Sequence, residues 1–160
     1  MTIKVGDKIP SVTLRHMTAE GPKDISTDEL FSGKKVVLFA VPGAFTPTCS
    51  AKHLPGFIEK SGALKGKGID KVACISVNDA FVMDAWGKAQ NAGDKVEMIA
   101  DGNAAFADAI GLPLDASRNG LGKRSQRYAM VVDKGVVTKL YVEKPGAFEV
   151  SSAEHVLGDL

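Results

Sequence analysis

Cysteine is scarce in this chain, with only Cys49 and Cys74 among 160 residues. Two sulfurs cannot staple a domain of this length, which argues against a secreted disulfide scaffold and for thiol chemistry in a reducing compartment, the cytoplasm. An excess of charge is missing as well. Lys and Arg number 20 and Asp and Glu 19, a net charge of +1, so there is no electrostatic basis for binding nucleic acid or an anionic membrane. No long apolar run is present. The longest, residues 36–45, contains Pro42 and Gly43 and falls well short of the ~20 residues a membrane-spanning helix needs. Residues 1–10 are polar and lack an apolar signal core, so export is not expected. Repeats, low-complexity tracts and linkers are absent too. A chain of this length buries a core unaided, and one domain over residues 1–160 is the expectation.

What is present centres on residues 41–50. The apolar run 36–41 reads as a buried strand of a mainly parallel sheet. Thr46 then stands as an N-cap with Pro47 at the first helical position, where a missing N–H costs nothing. On that register Cys49 falls in the first turn, beside free backbone N–H groups and the positive end of the helix dipole. Both favour thiolate over thiol. A lone cysteine in a tight strand-to-helix turn is more often a packing residue. Here Pro42, Thr46 and Cys49 also fit the pattern P-x-x-x-T-x-x-C, which favours chemistry. The helix should run to about residue 64, with a kink near Ala51 where the ring of Pro55 opposes a carbonyl.

The remaining elements follow from local signals. Residues 11–16 alternate weakly and predict a short strand. Ser26 and Glu29 form a capping box opening a short helix that Gly33 ends. Residues 72–77 predict a second buried strand, completing a strand–helix–strand unit with the crossover expected to be right-handed. Asn78 or Asp79 caps a helix whose Phe81, Val82, Ala85 and Trp86 share one face. A strand at 96–100 and a helix at 104–110, closed by Gly111, precede a long loop at 112–126. Strands at 128–132 and 136–142 flank Asp133-Lys134-Gly135 as a hairpin, and Ser151 with Glu154 caps a last helix. This order predicts an α/β, thioredoxin-like fold with a central mixed β-sheet flanked by helices.

The stretch "VPGAFTPTCSAKHLPGF" closely resembles the peroxiredoxins, in particular the five-like subfamily called type II in plants. The resemblance continues through "ISVNDAFVMDAWGK", "ADGNAAFADAIGL", "GLGKRSQRYAMVV" and "EVSSAEHVL", and so covers nearly the whole chain. It implies a thiol peroxidase in which the Cys49 thiolate attacks the O–O bond of hydrogen peroxide or an alkyl hydroperoxide, giving a sulfenic acid. It also implies a homodimer and no cofactor or metal. Arg127, just before Tyr128, matches the family arginine that contacts the sulfur and the peroxide oxygens. Thr46 would cap the helix and hydrogen-bond a peroxide oxygen, and Pro42, which cannot donate, would shield the thiolate from water. Where some members carry a resolving cysteine near the C-terminus, this chain has Ser151 and Ser152. An external thiol, glutathione with glutaredoxin or else thioredoxin, must then reduce the sulfenic acid.

Magnitudes decide how much help the sulfur needs. An ordinary thiol with pKa ~8.5 is only about 3 % ionised at pH 7, and making it mostly thiolate takes about 3–4 kcal/mol. A helix N-terminus gives ~0.3–1 kcal/mol. A cation or further hydrogen bonds to the sulfur must therefore be supplied, and Arg127 is the best candidate, where the long loop meets a core strand; Arg118, Lys123 and Arg124 read as a solvated basic loop. Cys74, inside an apolar strand with no cation near, reads as core. His53, four residues after Cys49, admits a metal pair or a Cys–His dyad, but His16 and His155 offer no further ligand spacing. Phe45 reads as lining the peroxide pocket or a dimer contact, and Trp86 and Phe81 as core or interface residues. A redox sensor or a thiol transferase of the same fold are the other functions these residues admit.

Overall fold

A computed structural model describes residues 2–160. The chain's most apolar run forms β3 (Lys35–Ala40), which pairs parallel with β4 (Lys71–Ser76) and antiparallel with β8 (Tyr128–Asp133). With β1 (Thr13–Thr18), β2 (Gly21–Ser26), β5 (Glu97–Ala100) and β9 (Val136–Val142) they make a seven-stranded mixed sheet of order β2-β1-β5-β4-β3-β8-β9. Side chains alternate across a strand, and β3 is buried on both faces. Val37, Phe39 and Val41 pack in one core with residues of α2 (Leu54–Gly66), α3 (Ala80–Ala89) and α5 (Ala153–Gly158). Val36, Leu38 and Ala40 pack in a second core with α1 (Thr27–Phe31) and α4 (Ala105–Ala109). This is the expected α/β, thioredoxin-like arrangement, but the sheet is not the mainly parallel one read from the β3 run. The pairs β3–β4 and β4–β5 are parallel, whereas β1–β2, β1–β5, β3–β8 and β8–β9 are antiparallel, because β8 and β9 form a hairpin rather than a crossover. Among the described residues no helix is long and apolar enough to cross a membrane.

Several local expectations hold in detail. Ser26 accepts from the Glu29 N–H while the Glu29 carboxylate accepts from the Ser26 N–H, and Gly33 has φ +64°. Asp79 caps α3 by accepting from the Val82 N–H. The β8–β9 hairpin turns through Lys134 and Gly135, at φ 51° and 85°, the pair of positive angles a tight hairpin of right-handed twist requires.

Other expectations are corrected. The edge strand β2 was not foreseen, because Gly21, Pro22 and two charged residues hide it; an edge tolerates the proline, since one row of its backbone is unpaired. On α3 the buried face is Ala80, Met83, Trp86 and Gly87, whereas Phe81 is 65 % exposed and Ala85 is also exposed. Close approach to β5 sets that rotation: a Cβ on Gly87 would lie 2.7 Å from Met98 Cγ. Residues 112–126 are no open loop. They fold into a two-stranded ribbon, β6 (Pro113–Asp115) with β7 (Lys123–Ser125), joined by a short turn of helix at Ser117–Asn119. Strands so short and polar carry no alternation to read. The N-cap of α5 is Ser152, which accepts from the His155 N–H, so Ser151 is released for another task.

Candidate active site

Beyond β3 the chain turns through Pro42 and Gly43. The Gly43 carbonyl accepts from the Thr46 hydroxyl at 2.6 Å, and the Ala44 N–H donates to Asn78 Oδ1 at 3.0 Å. Helical bonding starts as expected, with the Ser50 N–H donating to the Thr46 carbonyl at 2.9 Å. The Thr46 hydroxyl, however, is committed backwards to Gly43 and does not cap the helix. After one α-helical step the chain widens into a π-helical turn, Cys49–His53, in which the Leu54 N–H bonds the Cys49 carbonyl. Pro55 accounts for this. It has no N–H to offer Ala51 and its ring crowds that carbonyl, so the expected kink is taken up by one extra residue in the turn.

Arg127 enters β8 from the ribbon and reaches the sulfur. Its Nη2 donates to Cys49 Sγ at 3.1 Å, and its Nη1 lies 2.8 Å from His53 Nδ1. His53 Nε2 lies 2.9 Å from the Ser151 carbonyl. A carbonyl only accepts and a guanidinium only donates, so the tautomer follows: Nε2 carries the proton and Nδ1 accepts from Arg127. The ring is fully buried, 4.9 Å from the Phe39 ring centroid and 5.0 Å from that of Phe148. Burial, and secondarily the Arg127 charge, press the His53 pKa down to about 3, against opposing pulls from the Ser151 carbonyl and Glu143. Ser151 is itself anchored: its N–H (2.8 Å) and its hydroxyl (2.7 Å) both donate to Glu143 Oε2. The same oxygen accepts from the N–H groups of Glu149 (2.8 Å) and Val150 (2.9 Å). Burial raises the Glu143 pKa, but these donors outweigh it and hold the carboxyl below its usual range.

Cys49 is fully buried and is not on the wall of the nearby cavity of about 450 Å³, which is lined among others by Pro42, its chain neighbour Thr48, Leu114, Asn119, Arg127 and Pro145. Arg127 thus spans from the cavity wall to the sulfur. Thr46 and Phe45 do not line this cavity; Phe45 is 56 % exposed, at φ 64°. Cys74 is free and fully buried in the same core as Cys49. Burial, then negative charge on Cys49, push its thiol well above the ordinary range. Contrary to the sequence reading, a cation is within electrostatic reach: Arg127 lowers the Cys74 pKa, without overcoming burial.

Two further readings change. Arg124 is not solvated: it is half-buried, its Nε donates to the Leu121 carbonyl at 2.9 Å, and its Nη1 would lie 3.1 Å from a Cβ on Gly43. His53 shares a side of the turn with Cys49 as its spacing suggested, yet it serves Arg127. Among the described residues no His, Cys, Asp and Glu side chains cluster as a metal site. Glu143 and Ser151 were missed, since nothing in a lone acidic residue at a strand end marks it as an anchor.

Comparison with known proteins agrees. Residues 4–157 match the Redoxin family. The chain is 55 % identical to rice peroxiredoxin-2E-2, chloroplastic, over 98 % of its own length and 72 % of that protein's. It is 49 % identical to Arabidopsis thaliana peroxiredoxin-2B, over 97 % of its length and 96 % of the relative's. Reduced Prx3 from Vibrio vulnificus, solved in complex with hydrogen peroxide, is 56 % identical and superposes with a TM-score of 0.95 over 99 % of each chain. Likeness at this level along almost the entire sequence makes the chain a member of the peroxiredoxins, the thiol-dependent peroxidases of the redoxin family.

Proposed function

We propose that Cys49 is the peroxidatic nucleophile and that its substrates are hydrogen peroxide and alkyl hydroperoxides. The observation that carries this is the 3.1 Å contact from Arg127 Nη2 to Cys49 Sγ at the start of a helix. A hydrogen bond from a charged donor contributes ~1.5–3 kcal/mol. The helix start adds ~0.3–1 kcal/mol in favour of negative charge on the sulfur. The Cys49 thiolate attacks the nearer peroxide oxygen; an S–O bond forms as the O–O bond breaks, and the leaving oxygen takes a proton and departs as water or alcohol. Arg127 stabilises charge developing on that oxygen. Pro42, on the cavity wall, keeps a donor-free surface towards the site. The Thr46 hydroxyl, already donating to Gly43, presents its lone pairs and turns to donate to peroxide only by releasing that bond.

The Cys49 sulfenic acid is then reduced by an external thiol, which forms a mixed disulfide with release of water; a second thiol frees Cys49. Glutathione with glutaredoxin and thioredoxin are the proposed donors, and the cytoplasm the proposed compartment, as two free buried cysteines suit a reducing environment. The exposed Phe45 and Phe81 are the proposed contact of a homodimer, which sedimentation at micromolar concentration checks; a monomer there ends that part. The test of the function is peroxide consumption with each donor system offered separately, for the wild type and Cys49→Ser. Turnover with at least one donor, lost in Cys49→Ser, is expected. Turnover that survives in Cys49→Ser removes the assignment.

A further inference from the structure

Resting on that reading of Cys49, we propose that Asn78, just past the end of β4, is a positioning residue: its side-chain oxygen grips the turn at residues 43–46 and so sets where Pro42 and Thr46 meet the peroxide. The turn is held at two points. The Gly43 carbonyl accepts from the Thr46 N–H at 3.3 Å and from the Thr46 hydroxyl at 2.6 Å. Asn78 Oδ1 accepts from the Ala44 N–H at 3.0 Å and from the buried Ser76 hydroxyl at 2.6 Å. Asp79, not Asn78, caps α3, which leaves the Asn78 amide to this task.

The backbone explains why a grip is needed. Phe45 occupies the third position of this turn at φ 64°, a left-handed conformation that glycine and asparagine take readily and a bulky side chain does not. Strain of that kind persists only where surrounding contacts over-determine it, and it gathers at functional sites. The bonds from Thr46 to Gly43 close the turn on itself; the bond to Asn78 ties it to the end of β4. A second contact backs the tie. A Cβ on Gly43 would lie 3.1 Å from Arg124 Nη1, whose own acceptor is the Val77 carbonyl at 3.4 Å. Both supports therefore run back to the residues that follow β4. The choice of an amide has a chemical reason. A backbone N–H only donates, so the atom facing Ala44 is the oxygen. An aspartate would accept equally well, but its negative charge would oppose a thiolate at Cys49. Arg127 reaches Cys49 from the chain entering β8 and not from this turn. Asn78 thus bears on the peroxide and leaves the cation at the sulfur in place.

Two readouts on Asn78→Ala separate this role from general packing. One is the second-order rate of Cys49 oxidation by hydrogen peroxide, and the other is the pH midpoint of Cys49 alkylation. Oxidation should slow about fivefold, the worth of one neutral hydrogen bond. The alkylation midpoint should stay within about 0.3 pH units of wild type, because Arg127 still donates to the sulfur. A site loosened as a whole would move both. A second substitution tests the strain itself. Asparagine takes the left-handed conformation more readily than phenylalanine, so in a Phe45→Asn background Asn78→Ala should slow oxidation by less than about twofold. An Asn78→Ala rate equal to wild type, a midpoint that rises as the rate falls, or an undiminished loss in the Phe45→Asn background each overturns the inference. Where the Phe45→Asn chain does not oxidise at all, the first two readouts decide the matter. If instead Cys49→Ser keeps turnover, the reading of Cys49 has failed, and that result is separate from these.

Discussion

Two cysteines of one core are made different by what touches their sulfurs. Cys49 receives the Arg127 Nη2–H, whereas no donor reaches Cys74, whose thiol burial holds well above its ordinary range. Only one of them has a charged donor against its sulfur. We expect Cys74→Ser to retain more than about half of the wild-type peroxide consumption, as a small polar replacement beside apolar neighbours strains packing before it touches the chemistry. With Cys74 inert and serines at 151 and 152, no second sulfur of the chain is ready to resolve an oxidised Cys49. After one equivalent of peroxide without added thiol, dimedone should therefore trap a sulfenic acid, and mass spectrometry reads the adduct. A chain two mass units lighter, with no adduct, would show that Cys74 resolves after all.

Among the elements, the helix that carries Cys49 depends on an irregularity. Its π-helical turn, Cys49–His53, exists because Pro55 withholds an N–H, and it presents both Cys49 and His53 to one guanidinium. Pro55→Ala restores the donor and permits regular i→i+4 bonding to Ala51. A turn tightened by one residue rotates Cys49 relative to the buried face of α2. We expect the variant to be at least as stable in urea as the wild type, since proline is the poorest residue for a helix interior. Peroxide oxidation should nonetheless slow by about tenfold or more, as the sulfur leaves its donor. The single tryptophan is a convenient reporter for stopped flow, because Trp86 Nε1 donates to Ser50 Oγ inside that same turn at 3.0 Å. Unchanged oxidation would mean the π turn has no part in placing the sulfur.

For the molecule as a whole, the buried imidazole imposes a pH dependence on stability. The His53 pKa is about 3 in the folded chain against 6.5 for a free side chain. The unfolded chain thus binds the proton first, and the stability present above the unfolded value is lost as pH falls from about 6.5 towards 3. Between pH 7 and pH 5 this costs about 2 kcal/mol, a sizeable part of the ~5–15 kcal/mol of a typical domain. Glu143 adds to the loss only at lower pH, since its folded pKa lies below the ordinary carboxylate value of 4.5. Urea unfolding at pH 7 and pH 5 measures the slope, and His53→Gln should flatten it; an equal slope in that variant would assign it elsewhere. What the sequence determined by itself was everything written in short-range order. The apolar strand β3, the capping box at Ser26 and the turn at Lys134 each need only neighbours within a few residues, and each forms where it was read. Tertiary structure decided what long-range contacts set. The rotation of α3 followed from the close approach of Gly87 to Met98, and the polar strands β6 and β7 exist only as a pair. The link from Glu143 through Ser151 and His53 to Arg127 joins residues 74 to 98 apart along its longer steps. No local pattern encodes such a chain, because each residue in it is ordinary until the fold sets the next one beside it.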